Sequence, residues 1–301
     1  MGHEMKIGMI GLDTSHAPAF TELLNDPGHQ YHVPGGKVIA AFPGGSPDFE
    51  LSYSRVDTYA NQLREHYGVT IVDSPEAVAK QCDAILLESV DGRVHVEQFK
   101  RIAPYCKPTF IDKPFAVSSA DAEMILREAE KYRVPVMSCS ALRYAEGFRG
   151  ALDDEESGPV IGVDAYGPME LQPTQPGLFW YGIHTVEMLF AALGRGCRHV
   201  RAEANDDFDV VVGVWSDGRL GTVRGNRQGN RTFGALLHRN ERTHFVDVYA
   251  DEKPYYASLL EHIMTMFKTG EAPIHPEETL EIVRFIEAAN ESRNSGKTVR
   301  L

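Results

Sequence analysis

The chain has 301 residues, of which 43% are hydrophobic and 24% charged, and its formal net charge at pH 7 is −13. This length and balance are typical of a globular protein with two domains of ordinary size. The negative charge argues against a nucleic-acid partner, because phosphates require a basic surface, and the apolar runs are too short to span a membrane.

Cysteine usage and the N-terminal stretch bear on the cellular compartment. The first residues lack the basic region, apolar core and cleavage site of a signal peptide. The cysteines show no metal-like spacing, and reduced thiols in a cytoplasmic enzyme are the expected state. A separate cluster, His29 with His32, has no acidic or cysteine partner at ligand spacing, so no metal site is predicted. The four cysteines are Cys82, Cys106, Cys139 and Cys197.

The first part of the chain alternates strand-like and helix-like patterns, which is typical of βαβ units on a parallel sheet. This alternation predicts a doubly wound, Rossmann-type domain over residues 1–142. Helices are predicted at 17–25, 55–67, 91–104 and 118–132, with a further helix starting at Ser74-Pro75. Strands are predicted at 6–12, 37–42, 69–72, 83–87, 108–111 and 134–139.

The pattern changes after Arg143. A strand at 160–166 and a helix at 180–193 precede several strands without intervening helices, which indicates an antiparallel sheet. Residues 143–301 are therefore predicted to form an α+β domain with a predominantly antiparallel, open sheet. The later strands are predicted at 200–204, 208–215, 220–224, 233–238 and 243–249, and the last helices at 255–269 and 276–295.

Residues 6–25 follow the order strand, glycine turn, helix, as in a dinucleotide-binding element. There a helix N-terminus offers N–H groups and a positive dipole end to a pyrophosphate. The full fingerprint is G-x-G-x-x-G, but here only Gly11 is kept, with Asp13 and His16 in place of the other two glycines. Either Asp13 turns away and caps the helix, leaving Thr14 and Ser15 to meet the phosphates, or the turn no longer binds a dinucleotide in the usual way.

The end of the second strand bears on the choice of cofactor. An acidic residue there normally holds the adenosine ribose, but this strand ends in Phe42 and a Pro-Gly loop. This weakens the case for NAD and leaves NADP open. Ser46, Ser54 or Arg55 could reach a 2′-phosphate. The alternative for each of them is an ordinary position in a solvated loop.

The fifth strand delivers Asp112-Lys113-Pro114 at its carboxyl end, where open α/β sheets bind ligands. A lysine there can hold an anion or a polarised hydroxyl, or be an ordinary surface charge. The motif resembles the Glu-Lys-Pro signature of the Gfo/Idh/MocA oxidoreductases, the relatives of glucose–fructose oxidoreductase and inositol dehydrogenase. The segment from Glu88 to His95 is similar to that family's strand-four loop, and Tyr181 to Glu187 to its active-site helix. Their order matches over nearly the whole chain.

The resemblance implies a nicotinamide cofactor, NAD or NADP, and a sugar or polyol substrate. It also implies a homo-oligomer, dimer or tetramer, formed through the C-terminal sheet. Lys113 would hydrogen-bond the reacting hydroxyl, and His184 would be the general base, roles that suit an ammonium and an imidazole. The predicted cofactor-binding residues are Gly11, Asp13, Thr14, Ser15, His16, Glu88, Ser89, His95, Asp112, Lys113 and Pro114.

Departures from the family's pattern keep other functions open. The family usually places an aspartate four residues before the histidine, where this chain has Trp180, so Glu187 could orient the imidazole instead. Arg143-Tyr144 could bind substrate or only pack. The leading hypothesis is a carbohydrate-directed dehydrogenase or reductase. The alternatives are a catalytically silent nucleotide- or sugar-binding sensor, and a lyase or isomerase that recycles its bound cofactor.

Overall fold

The computed structural model describes residues 4–301, which form two compact units. The first unit contains the described residues up to Ala116, with Ala120–Cys139 and Tyr256–Pro276, and the second contains the remainder. The domain boundary at residue 142 stays a prediction; of the two compact units, residues 256–276 belong to the first, and residues 117–119 and 140–142 belong to the second. Residues 256–276 join the first unit because the side chains of Met264 and Lys268 lie against Gly35 and Gly36 at the start of a strand.

The first unit is built on a parallel sheet with the order β3-β2-β1-β4-β5-β6. The central strand β4 is buried at every position, as expected of a parallel strand covered on both faces. The predicted doubly wound parallel sheet is confirmed. Its strands are β1 (Met5–Ile10), β2 (Gly36–Phe42), β3 (Thr70–Ile71), β4 (Ala84–Leu87), β5 (Thr109–Ile111) and β6 (Val136–Met137).

Local signals explain most of the helix boundaries. The Ser74 side chain accepts a hydrogen bond from the Ala77 N–H, and Gly68 ends a helix in the left-handed conformation at φ 68°. The helix predicted from residue 91 begins only at His95, because Asp91 caps a short 3₁₀ turn first. The helices are α1 (His16–Asn25), α2 (Glu50–Tyr53), α3 (Val56–Tyr67), α4 (Pro75–Gln81), α5 (His95–Ile102) and α6 (Ser119–Tyr132).

The second unit is built on a mostly antiparallel sheet with the order β12-β11-β7-β10-β9-β8-β13, as predicted. The exception is the pair β7 and β10, which is parallel. The strands are β7 (Val160–Pro168), β8 (Cys197–Ala204), β9 (Phe208–Trp215), β10 (Leu220–Asn226), β11 (Gly234–Arg239), β12 (Thr243–Asp247) and β13 (Val299–Arg300). The remaining helices are α7 (Glu146–Asp153), α8 (Gly182–Leu193), α9 (Tyr255–Thr269) and α10 (Pro276–Ser295).

The two faces of the second sheet differ in burial. On β9 and β10, Val211 and Val223 are buried on the face that carries α8, whereas Val210 and Leu220 point the other way and are exposed. Phe245 on β12 is 69% exposed on that outer face. The sheet therefore keeps an open, partly apolar face. In the part of the chain that the structure describes, no helix is long and apolar enough to cross a membrane.

Candidate functional site

The glycine turn after β1 is closely packed against the loop after β4. Gly11 has φ 91°, and a Cβ atom there would lie 2.3 Å from the backbone nitrogen of Ser89. Only glycine fits this backbone and this space. The N–H groups of Gly11 and Leu12 donate to the carbonyl oxygens of Phe42 and Pro43 at 2.9 and 2.7 Å, which fastens the loop after β2 to the turn.

Asp13 is buried and turned away from the turn. Its carboxylate accepts hydrogen bonds from the Ser52 hydroxyl at 2.6 Å and from the Val90 N–H at 3.0 Å. Burial raises the pKa of Asp13, and these two hydrogen bonds oppose the rise. The carboxylate thus joins the loops after β2 and β4 rather than capping α1. Ser15 is exposed at the N-cap position, where its side chain makes no capping bond.

The loop after β2 is buried in part, at Ser46. The buried Ser46 donates through its hydroxyl to Asp91 at 2.7 Å, and its N–H donates to the Ser52 hydroxyl at 2.7 Å. Arg93 then bridges Asp91 and Asp48 with paired guanidinium hydrogen bonds. The interpretation of Ser46 as a solvated residue is therefore wrong, because its side chain is part of a polar network that links two strand-end loops.

His95 ties the loops after β4 and β5 together. Its Nε2 lies 2.8 Å from the Ser89 carbonyl oxygen, and its Nδ1 lies 3.2 Å from the Phe115 carbonyl oxygen. The Ser89 hydroxyl donates to Gln98 at 2.8 Å. His95 and Ser89 were predicted to bind the cofactor, and their side chains here contact protein groups that set the shape of the strand ends.

Four predicted site residues meet at the ends of adjacent strands. His16 Nδ1 lies 3.0 Å from Asp112 Oδ2 and 3.6 Å from Glu88 Oε2, and the Lys113 ammonium lies 3.7 Å from Asp112 Oδ2. All four side chains are buried, with Lys113 only 8% exposed. The Lys113–Pro114 peptide bond is cis. The structure thus brings the third fingerprint position and the Asp-Lys-Pro motif into one charged cluster, which we call the strand-end cluster.

The pKa values in the strand-end cluster follow from burial and mutual charge. Burial by itself lowers the pKa of His16, but the Asp112 carboxylate and the contact with Glu88 outweigh it and raise that pKa to about 9. Burial raises the pKa of Glu88 to about 7, although His16 opposes the rise. Burial would also raise the pKa of Asp112, but the charges of His16 and Lys113 reverse this and hold it well below its usual value. His16 is therefore a cation at neutral pH.

The residues of the turn are compatible with a nicotinamide dinucleotide. Gly11 keeps a side chain out of the space where a backbone must approach closely, and the first turn of α1 presents main-chain N–H groups. The Asp13 carboxylate, which would repel a pyrophosphate, is held by Ser52 and Val90. The exposed Ser15 adds a hydroxyl at the helix start.

The second unit places His184 in the first turn of α8. Its Nδ1 lies 2.7 Å from the hydroxyl oxygen of Ser140, which is itself buried. The ring also makes an edge contact with Tyr181 and a tilted contact with Phe233, at centroid distances of 5.9 and 5.2 Å. These contacts fix the orientation of the imidazole. No local sequence signal identified Ser140, because it lies 44 positions away in the chain.

Glu187 has a different partner from the one expected. It was a candidate to orient His184, but its Oε2 accepts from Arg143 Nε at 2.9 Å, and Arg143 Nη2 donates to Glu278 at 2.6 Å. Burial raises the pKa of Glu187 to about 7, against the opposing charge of Arg143. Arg143 was left open between substrate binding and packing, and here it neutralises two carboxylates.

Comparison with known proteins agrees with the motifs. Residues 5–139 match the Gfo/Idh/MocA family, described as "Oxidoreductase family, NAD-binding Rossmann fold". The resemblance inferred from the sequence is confirmed, and this part of the chain is similar to NAD-binding oxidoreductases. Comparison with curated protein sequences gives no match.

Solved structures share the fold over the whole chain. A probable dehydrogenase from Thermotoga maritima is 19% identical with a TM-score of 0.80, and the match covers 98% of this chain and 99% of that protein's chain. GenD2 from gentamicin A biosynthesis, in complex with NAD, is 16% identical with a TM-score of 0.80, at coverages of 100% and 97%. Myo-inositol dehydrogenase from Lactobacillus casei, in complex with NAD(H) and myo-inositol, is 15% identical with a TM-score of 0.77, at 99% and 97%. Identities this low establish the fold alone.

Proposed function

We propose that the protein is an NAD(P)-dependent oxidoreductase that transfers a hydride between a nicotinamide cofactor and a sugar, polyol or related hydroxy compound. The observation that carries this proposal is the buried ammonium of Lys113 at the carboxyl end of β5, 3.7 Å from Asp112 and in the same unit as the Gly11 turn. Open α/β sheets bind ligands at that edge. The myo-inositol bound by the Lactobacillus casei relative supports the substrate class.

Two side chains carry the chemistry in this proposal. Lys113 donates a hydrogen bond to the reacting hydroxyl and stabilises the negative charge that develops on its oxygen. His184, oriented by Ser140, removes the hydroxyl proton. Gly11, Thr14 and Ser15 would hold the pyrophosphate of a nicotinamide cofactor, which would supply the acceptor for the hydride that leaves the carbon bearing the hydroxyl. Both NAD and NADP are compatible with the proposal, and the expected compartment is the cytoplasm.

Substitution of Lys113 tests the assignment. Lys113→Ala is expected to lower kcat/KM by at least about a hundredfold, because a preorganised donor to the developing oxyanion is lost. Substrate-dependent nicotinamide absorbance measures turnover across a panel of polyols, and nicotinamide fluorescence measures cofactor binding. The matched control is Lys100→Ala, which removes a lysine of α5 that pairs with the exposed Glu97. Turnover retained in Lys113→Ala would contradict the assignment.

A second candidate function is a catalytically silent nucleotide- or sugar-binding regulator. It is favoured by the state of Asp13 and His16, the two replacements in the glycine fingerprint, because both are buried and engaged with other side chains of the protein. Cofactor binding without turnover of any polyol in the panel, together with unchanged binding in Lys113→Ala, would favour this function over the oxidoreductase.

Assembly into a homo-oligomer belongs to the same proposal. The outer face of the second sheet exposes apolar side chains on neighbouring strands, with Leu236 of β11 directly opposite Phe245 of β12. Soluble monomers seldom leave such a surface uncovered, so we propose that this face contacts a second copy of the chain. Light scattering on the full chain, with Phe245→Asp as the disrupting variant, measures the mass that tests it.

A further inference from the structure

The strand-end cluster has the ligand types and spacing of a metal site. One atom each of His16, Glu88 and Asp112 lies within 4.8 Å of the others, and all three residues are buried. Two donor atoms that each bind a divalent first-row ion at about 2.1 Å are separated by roughly 3.0 to 3.4 Å in octahedral or tetrahedral geometry. The observed distances from His16 Nδ1 are 3.0 Å to Asp112 and 3.6 Å to Glu88.

Glu88 supplies the second and independent observation. Its side chain is 0% exposed, and among the described residues neither of its carboxylate oxygens has a hydrogen-bond partner. Asp112 Oδ2 and His16 Nδ1 also have no hydrogen-bond partner among the described residues, although the two atoms lie 3.0 Å apart. Buried polar atoms are almost always satisfied, and a buried carboxylate without donors is costly. Among the described residues, Glu88 therefore has an ionic contact with His16 at 3.6 Å but no hydrogen bond.

The protein's own cations make their shorter contacts with Asp112 and give Glu88 no hydrogen bond. Lys113 contacts the cluster at Asp112, where its ammonium is 3.7 Å from Oδ2. His16 stands between the two carboxylates, but its distance of 3.6 Å to Glu88 exceeds that of a hydrogen bond. One imidazolium is thus shared unequally by two carboxylates, and Glu88 is the group left with the weaker contact.

We propose that His16, Glu88 and Asp112 bind a divalent first-row metal ion, of the kind that accepts one imidazole and two carboxylates, such as Zn²⁺, Mn²⁺ or Co²⁺, and that the ion displaces the proton of His16 Nδ1, which is released to solvent. The ligands arise from α1 and from the ends of β4 and β5, so the ion joins three elements of the first unit. The His16 ring is held by Phe20, stacked at 5.4 Å, and by the edge of Tyr256 at 4.9 Å. Such packing orients a metal ligand before the ion arrives.

The proposal reassigns three residues that the sequence placed among the cofactor contacts. It does not require the proposed oxidoreductase activity, although the ligand Asp112 also contacts Lys113 at 3.7 Å. The metal measurement needs neither nicotinamide nor substrate, so a failed metal test leaves the enzyme assignment standing, and a failed turnover test leaves the metal site standing.

Metal titration of the full chain tests the proposal. The protein is treated with EDTA, dialysed, and titrated with Co²⁺ alone, whose visible absorption reports ordered nitrogen and oxygen ligation. The wild type is expected to bind a single equivalent, and Glu88→Gln, which keeps the shape but loses the charge, to bind it about tenfold or more weakly. Glu97→Gln is the control, because this side chain is 74% exposed on α5 and lies outside the cluster.

A second measurement guards against misfolding of the variant. Zn²⁺ binding to the folded state is expected to raise the thermal midpoint of the wild type relative to EDTA, and this rise should be absent from Glu88→Gln and His16→Gln while their circular dichroism stays native. The proposal is overturned if the wild type takes up no Co²⁺. Equal affinity of Glu88→Gln and Glu97→Gln for Co²⁺ also overturns it.

Discussion

Each unit places a histidine near a pair of carboxylates, fully buried in the first unit and partly buried in the second, and the two arrangements differ in which group neutralises the acids. In the first unit, His16 itself stands between Glu88 and Asp112. In the second, Arg143 pairs with the carboxylates and His184 contacts the Ser140 hydroxyl instead. An imidazole held between carboxylates keeps its proton and makes a poor base. An arginine that pairs with the acids leaves the imidazole of His184 in contact with a neutral hydroxyl.

The largest expected effect on stability comes from removing Arg143, the cation that pairs with the two carboxylates of the second unit. Arg143→Met is expected to lower the free energy of unfolding by about 3 kcal/mol, because it leaves the buried Glu187 and the partly buried Glu278 without the arginine that pairs with both. Urea unfolding at neutral pH measures the change. The loss should shrink at acidic pH, where Glu187, whose pKa is already raised to about 7, becomes neutral.

The double variant Arg143→Met/Glu187→Gln is the matched control. Because it removes one charge of each sign, it should recover a substantial part of the stability lost in Arg143→Met. A single variant as stable as the wild type would show that Arg143 does not neutralise the acids. The comparison between the two units would then fail.

The pH dependence of stability distinguishes the first unit. The pKa of His16 is about 9 in the folded state against 6.5 unfolded, so the stability it confers is complete below pH 6.5 and is lost as the pH rises through 9. In EDTA, we expect the free energy of unfolding of the wild type to fall by on the order of 2 kcal/mol over this range. Ionisation of Glu88, whose pKa is also raised, acts with the same sign.

Denaturant titrations at several pH values check this slope, with His16→Gln as the comparison. The variant should show a flatter profile, since the group that releases a proton is absent. A wild-type profile that is level or rises from pH 6.5 to 9 would contradict the cationic state of His16.

The smallest expected effect concerns the hydroxyl that orients the other histidine. If His184 is the base of the proposed reaction, Ser140→Ala should lower kcat about tenfold with little change in KM, equivalent to about 1.4 kcal/mol. The pH profile of kcat should also move, because the partner of Nδ1 has gone, and Ser140→Thr should restore it. A Ser140→Ala enzyme with the wild-type profile would assign Ser140 a purely structural role.

Much of the molecule followed from local patterns. The alternation of strands and helices predicted the parallel sheet, Gly68 and Ser74 marked helix ends, and Gly11 marked the turn that tolerates no side chain. The contact between His16 and Asp112 could also be predicted from the sequence, because the two residues follow β1 and β5, which lie on either side of β4. Residues after neighbouring parallel strands share one edge of the sheet.

The sequence by itself therefore determined the elements, the sheet types and the residues with chemical potential, because these depend on periodicity and on neighbours within a few positions. Only the tertiary structure decided the partners of each charge. Ser140 reaches His184 across 44 positions, and Arg143 reaches Glu278 across 135. Side-chain pairing over such separations is set by the packing of whole elements, and that packing decided that His16 meets two carboxylates whereas His184 meets a hydroxyl.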